Sequence, residues 1–258
     1  MINNKKLLIS TALVSLIISS ATHAQTTNFV GPSVALSGSY VGGSSEFKTG
    51  TSFGTLSGGD GIDSKLGDQT NVIPGVDLNY GFAMGNNFVL GIGATYDFSK
   101  TKTGAFTSNS LINGEDATFS IDSNLKDHYS LYIQPTYVIN KDSAMFAKVG
   151  RHYAKSSVKS AGGFIAEGLT VGLLGEDKTV SKNIEGWGFG LGLKTFLTSN
   201  LFVQLEGGIV EYDKTNLPFR KSLLVSGESG DEIVTAEDNT GSHKIKTTNA
   251  MVSLGYKF

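Results

Sequence analysis

Apolar and polar residues alternate with a period of two along most of this chain, the repeat of strands whose two faces meet different surroundings. In "IEGWGFGLGLKTFL", residues 184–197, Trp187, Phe189, Leu191, Leu193 and Leu197 share one face, and Gly186, Gly188, Gly190, Gly192 and Lys194 share the other. "FVLGIGATYDF" repeats the pattern, with Phe88, Leu90, Ile92, Ala94, Tyr96 and Phe98 opposite Val89, Gly91, Gly93, Thr95 and Asp97. The same period predicts eight strands, near 29–40, 72–83, 87–99, 128–139, 144–155, 184–197, 201–212 and 247–258. Pro135 is an objection to the fourth, because proline cannot donate to a ladder; a bulge there would reconcile it. "MGNN" (84–87), "NKDS" (140–143) and "TSN" (198–200) are short turns made of residues that tolerate turn dihedrals. The other four connections, near 41–71, 100–127, 156–183 and 213–246, are long, polar and rich in Gly and Ser.

Short turns at one end and long connections at the other describe an up-and-down meander, but alternation alone does not say which face meets water. A soluble barrel turns its apolar face inward. Here the opposite face carries glycine at 186, 188, 190 and 192, a poor solvent surface but a suitable lining for a narrow barrel. Tyr80, Phe82, Phe88, Tyr96, Phe98, Tyr129, Tyr137, Tyr153 and Tyr256 sit mostly near strand ends, where aromatic girdles meet headgroups. Strands of this length suit a tilted membrane crossing, and lipid forbids an open sheet edge, so the first and last strands must pair. The predicted fold is an all-β, eight-stranded antiparallel transmembrane barrel with four long external loops and short periplasmic turns.

The N-terminus agrees with export. "MINNKK" is a short basic region, "LLISTALVSLIISSA" an apolar run too short to span a bilayer, and "THA" a small-residue cleavage site. Residues 1–24 are therefore expected to be a cleaved signal and 25–258 the barrel domain. Without Lys5 and Lys6, 19 of the 21 basic residues face 23 acidic ones, a net charge of −4 that argues against nucleic acid as a partner. The chain has no cysteine, so its stability cannot come from disulfides.

From "NFVGPSVALSGSYVGG" (28–43) to "MVSLGYKF" (251–258), the chain resembles the small outer-membrane barrels of the OmpA/OmpX-like and opacity type. "MFAKVGRHYA" (145–154) and "GWGFGLGLKTFLTSNLFVQLEGG" (186–208) resemble strand-turn-strand text of that family. The resemblance implies a Gram-negative outer-membrane location at the cell surface, and contact with lipid and lipopolysaccharide. It also implies that the final strand, with Val252, Leu254, Tyr256 and Phe258, is what the outer-membrane assembly machinery recognises. A monomer with a structural or surface-interaction role, adhesion or recognition, is expected. A small channel or transporter is the runner-up and a lipid A-modifying enzyme a remote third, so no enzymatic activity is assigned.

Candidate chemistry is sparse. Asp77, Asp97, Lys148, Lys194, Glu206 and Lys257, with Gln204 in register, fall on the lumen face. Three acids and three lysines suit a plug of paired charges better than an ion path. "HYS" (128–130) matches a His and Ser pair used by lipid A deacylases, but both residues point to the lumen, away from lipid. "GGDGIDSK" (58–65) matches a single copy of a calcium-binding nonapeptide that works only in stacks, and Lys65 replaces an aliphatic. A plain loop is favoured there. His152 and His243 read as isolated, with no metal-ligand spacing, so neither metal nor cofactor is expected. The external loops are where a surface ligand would bind. "FRKSLLVSG" (219–227) offers a basic-apolar stretch, read in preference as a hairpin extending the barrel.

Overall fold

The computed structural model describes residues 26–49, 63–112, 115–161, 164–166, 169–171, 178–227 and 230–258. The expected signal segment and most of "GGDGIDSK" lie outside them. After a 3₁₀ turn at Thr26–Phe29, the strands are β1 Gly31–Thr49, β2 Asp63–Ala83, β3 Phe88–Asp97, β4 Thr101–Ile112, β5 Glu115–Val138 and β6 Ser143–Ala161. They continue with β7 Phe164–Ala166, β8 Leu169–Val171, β9 Lys178–Phe196, β10 Leu201–Tyr212, β11 Thr215–Gly227 and β12 Gly230–Lys257. Antiparallel pairing runs β1-β2-β3-β5-β6-β9-β10-β12, and β12 returns to β1, from Ser33↔Lys257 to Thr49↔Gly241. Eight strands thus close a barrel. Among the described residues no helix is long and apolar enough to cross a membrane; the crossing is made by strands.

The faces settle the solvent. Leu36, Leu78, Ile92, Leu131, Phe189, Leu191 and Val252 are exposed, whereas Ser39, Asp77, Gln134, Lys148, Lys194, Gln204 and Ser253 are buried. That is a soluble barrel turned inside out. Near the short turns the apolar band is bordered by Tyr80–Phe82, Phe88–Tyr137 and Tyr256–Phe258 ring pairs, and at the other end by Tyr96–Phe98 and Tyr129–Tyr153. From Tyr129 to Tyr137 on β5 is about 20 Å along the barrel axis for a tilted strand, which suits an apolar band of about 25 Å.

The expected strand positions stand, but the strands run further outward than their alternation indicates. β1 continues to Thr49, β4 resumes the line of β3 beyond Phe98–Lys100, and β11 resumes that of β10 beyond Asp213 and Lys214. Much of each long connection is therefore hairpin, including "FRKSLLVSG" in β11. The physical reason is visible inside the extension, where Ser45, Thr103, Ser123, Ser156 and Ser157 are buried. A wall that is polar outside and hydroxyl-lined inside leaves no apolar period to read. Pro135 needs no bulge. The register of β5 with β6 is unchanged on either side of it, from Ile133↔Val149 to Thr136↔Phe146, with the rungs between left unpaired. The bulge lies instead between Lys126 and Tyr129, where Asp127 takes φ 52°.

The glycines of β9 are explained by what faces them. A Cβ on Gly192 would run into the Phe146 ring and the Leu205 carbonyl, and one on Gly188 into the His152 ring. Gly192→Val should therefore destabilise the barrel by about 1–3 kcal/mol, because an overpacked core has no slack. Urea unfolding of the refolded protein in micelles reads this directly, and an unchanged midpoint would refute the packing account.

Candidate functional site

The lumen is filled in layers. At the periplasmic mouth, Phe29 from the N-terminal turn meets Phe196 edge to face at 5.1 Å, and Phe196 meets Phe202 at 5.4 Å, with Ala35 in the same cluster. Val89, Val138 and Ala144 flank Phe29 on the other side. Two bonds tie the turn across the mouth: Asn28 Nδ2 donates to the Lys141 carbonyl (2.8 Å) and Lys257 Nζ to the Thr27 carbonyl (2.9 Å).

Above this lies an ionic layer built by four strands. Lys148 of β6 donates from Nζ to Asp77 Oδ2 of β2 (3.0 Å) and to Glu206 Oε2 of β10 (2.7 Å). Its ammonium also lies 4.3 Å from the centre of the Tyr132 ring of β5. The Tyr132 hydroxyl donates to Asp77 Oδ1, and Gln204 Nε2 donates to Glu206 Oε2 at 3.3 Å. A buried ammonium with two carboxylates, each further hydrogen-bonded, satisfies the condition under which buried charge is tolerated.

The three-against-three pairing expected from the sequence does not form. Asp77, Lys148, Gln204 and Glu206 come together, but Lys194 lies over the Phe202 ring at 4.4 Å. Lys257 leaves the lumen network for the N-terminal turn. Asp97 binds an imidazole instead, with Oδ2 2.6 Å from His128 Nδ1. His128 Nε2 then meets His152 Nδ1 at 2.9 Å with the rings 12° from parallel, so His152 is not isolated. Asp97, His128 and His152 form one hydrogen-bonded row. Sequence reasoning missed it because β3, β5 and β6 must first be set in register; Thr95↔Ser130 and Ser130↔His152 then bring the three together.

Between this row and the ionic layer is a cavity of about 80 Å³ with a mixed lining, in which Ser39, Asp97, His128 and His152 face Val41, Leu125, Val210 and Met251. It is large enough for a few waters. Leu125, Ile184, Val210, Tyr212 and Ile245 close it on the outer side. Ser130 is buried and bonded to Thr95 Oγ1 at 2.6 Å rather than to His128, so the "HYS" triplet makes no nucleophile–base pair. No group of His, Cys, Asp and Glu among the described residues could hold a metal ion.

Further out, beyond the membrane-spanning part of β12, His243 is buried among hydroxyls and is no more isolated than His152. Ser45 Oγ is 2.5 Å and Ser123 Oγ 3.3 Å from its Nε2, with Ser156 Oγ 3.5 Å from Nδ1. Burial lowers its pKa from the ordinary 6.5 to about 4.

The chain matches the family model described as outer membrane protein beta-barrel domain over residues 10–258. It belongs to that family. Its location is accordingly the outer membrane, and the closed eight-stranded barrel is the family's fold in this chain. Solved structures similar to this chain include the attachment invasion locus protein Ail of Yersinia pestis, 16% identical over 89% of this chain and 99% of that one, with TM-score 0.39. Others are OprG of Pseudomonas aeruginosa (12%, 89% and 96%, TM-score 0.45) and the outer membrane protease OmpT of Escherichia coli (11%, 88% and 97%, TM-score 0.45). At such scores and identities none of these likenesses bears on the role of this barrel. No curated protein sequence matches the chain.

Two outcomes follow from these layers. Lys148→Met leaves Asp77 and Glu206 buried without their cation and should cost about 3–5 kcal/mol; the triple change Lys148→Met, Asp77→Asn, Glu206→Gln should recover much of it. Denaturant midpoints in micelles compare the two. The unfolded chain binds a proton at the His243 imidazole more readily than the folded one between pH 6.5 and 4, so the stability this burial leaves intact above that window is lost as pH falls through it. The His243 imidazole should titrate by NMR near pH 4, and a midpoint at 6 or above would mean that the serine pocket is open to water.

Proposed function

We propose that the protein is a non-conducting surface barrel: a closed membrane scaffold that carries an outer β-extension for adhesion or recognition. The observation that carries this reading is the contrast between the two halves. Inside the membrane the lumen is occupied at successive levels by the Phe29–Phe196–Phe202 cluster, the Lys148 ionic layer and the Leu125–Tyr212 cluster. Outside it the strands continue well past the aromatic ring, as in β5 from Glu115 and β12 from Gly230. Extended strands on a rigid barrel are a means of presenting a binding surface, and eight strands leave no channel of porin width.

The partners of this reading are outer-leaflet lipid and lipopolysaccharide around a monomeric barrel, and a surface ligand at the extension. The assembly machinery belongs with them, engaging the lipid-facing Val252, Leu254, Tyr256 and Phe258. The small channel remains the second reading because of the cavity beside the Asp97–His128–His152 row, but it requires all three layers to yield. Planar-bilayer recordings should show at most small, rare steps, and large steady conductance would overturn the closed-lumen reading. Shortening β11 and β12 between Asn216 and Ser242 to a tight turn should abolish attachment of expressing cells while the heat-modifiable gel shift of the folded barrel persists.

A further inference from the structure

Three neighbouring strand lines place an aromatic in the outer ring and a lysine just beyond it. On the β3–β4 line Phe98 is followed by Lys100, on β5 Tyr129 is preceded across the bulge by Lys126, and on β6 Tyr153 is followed by Lys155. Lys126 and Lys155 are direct cross-strand partners. Thr101 pairs with Leu125, so Lys100 falls at the next step of the same register, beside Lys126. The ring below is continuous at this point, since Tyr129 and Tyr153 stack at 5.0 Å and 16°.

Like charges on adjacent rungs repel, and a strand pair normally avoids them. Arg151 and Lys244, two other outward basic residues, are neutralised within the protein. Arg151 Nη2 binds Glu185 Oε1 (2.8 Å) and Asp213 Oδ2 (3.0 Å), and Lys244 Nζ binds Glu211 Oε1 (2.5 Å). Among the described residues no ion pair is recorded at Lys100, Lys126 or Lys155. Asp127 follows Lys126 in the bulge but pairs with neither lysine, and Asn183, the β9 neighbour of Lys155, is uncharged. Three unpaired cations in a row are therefore held at the depth where headgroups begin.

We propose that Lys100, Lys126 and Lys155 form a binding site for the phosphate groups of an outer-leaflet lipid. Strands about 4.8 Å apart bring neighbouring ammonium groups within reach of one phosphate, and the anion removes the repulsion that the empty row carries. The aromatic ring beneath packs against the start of the acyl chains, so headgroup and tail are engaged by the same three strand lines. The inference rests on the membrane placement of the barrel alone, and it holds whether or not the lumen conducts.

The test compares the full mature chain with the triple variant K100Q/K126Q/K155Q, using K141Q in a periplasmic turn as control. Each is refolded into phosphatidylcholine vesicles with or without lipid A, and its unfolding temperature is read from the heat-modifiable gel shift. Lipid A should raise the midpoint of the unaltered chain and of K141Q by several degrees, and the triple variant should lose at least half of that rise. In phosphatidylcholine alone the triple variant should match or exceed the unaltered chain, because only repulsion has been removed. An equal lipid A rise in the triple variant would overturn the proposal, as would a lower midpoint for it in phosphatidylcholine alone. The same rise produced in phosphatidylcholine by inorganic phosphate or by a soluble sulfated polysaccharide would overturn the lipid as its source.

Discussion

Everything in this molecule depends on one constraint: the bilayer core offers the backbone no hydrogen-bonding partner. A sheet can meet that constraint only if its two edges find each other. Here β12 pairs with β10 on one side and β1 on the other, and the Phe258 amide still donates to the Pro32 carbonyl at 3.1 Å. Once the ladder closes, apolar side chains outside cost nothing and polar ones inside are sealed from lipid. The alternation along each strand is the consequence of that inversion.

Closure with eight strands also fixes how much can fit inside. The lumen is narrow enough that bulky residues and glycines must be matched across it, as Phe202 is against Gly255 and Tyr132 against Gly93. Narrowness likewise puts Asp77, Lys148 and Glu206, from three different strands, within direct contact. A wider barrel would hydrate these groups separately. In this one they become a crosslink between opposite walls, and the cavity above them is lined both by hydroxyl, amide and imidazole groups and by apolar side chains such as Val41, Leu125, Val210 and Met251.

Much of this was legible in the residues. The eight strand positions, the lipid-facing set and the lumen phase of Asp77, Lys148, Gln204 and Glu206 all follow from a period of two. Pairings were less accessible. Lys194 and Lys257 have the right phase but the wrong depth: one lies by Phe202 and the other by the N-terminal turn, and alternation says nothing about height in the barrel. The Asp97–His128–His152 row depends on register between three strands and on a bulge at 127, which no local pattern announces. The outer extension escaped for a different reason. Its interior at His243 is built from Ser45, Thr103, Ser123 and Ser156, so hydroxyls stand where an apolar repeat would have marked the strands.

The distribution of charge then separates two kinds of place. In the Lys148 layer and the Arg151 cluster the charges have their counter-charges inside the chain. Lys100, Lys126 and Lys155 have none among the described residues, and they lie on three adjacent strand lines at one depth. Random surface lysines would scatter around the barrel and among its carboxylates, and they would not repeat the same aromatic-then-lysine order on successive strands. A row that is unfavourable within the isolated chain becomes favourable only when the surroundings supply the anion, and the headgroup layer is what lies at that height.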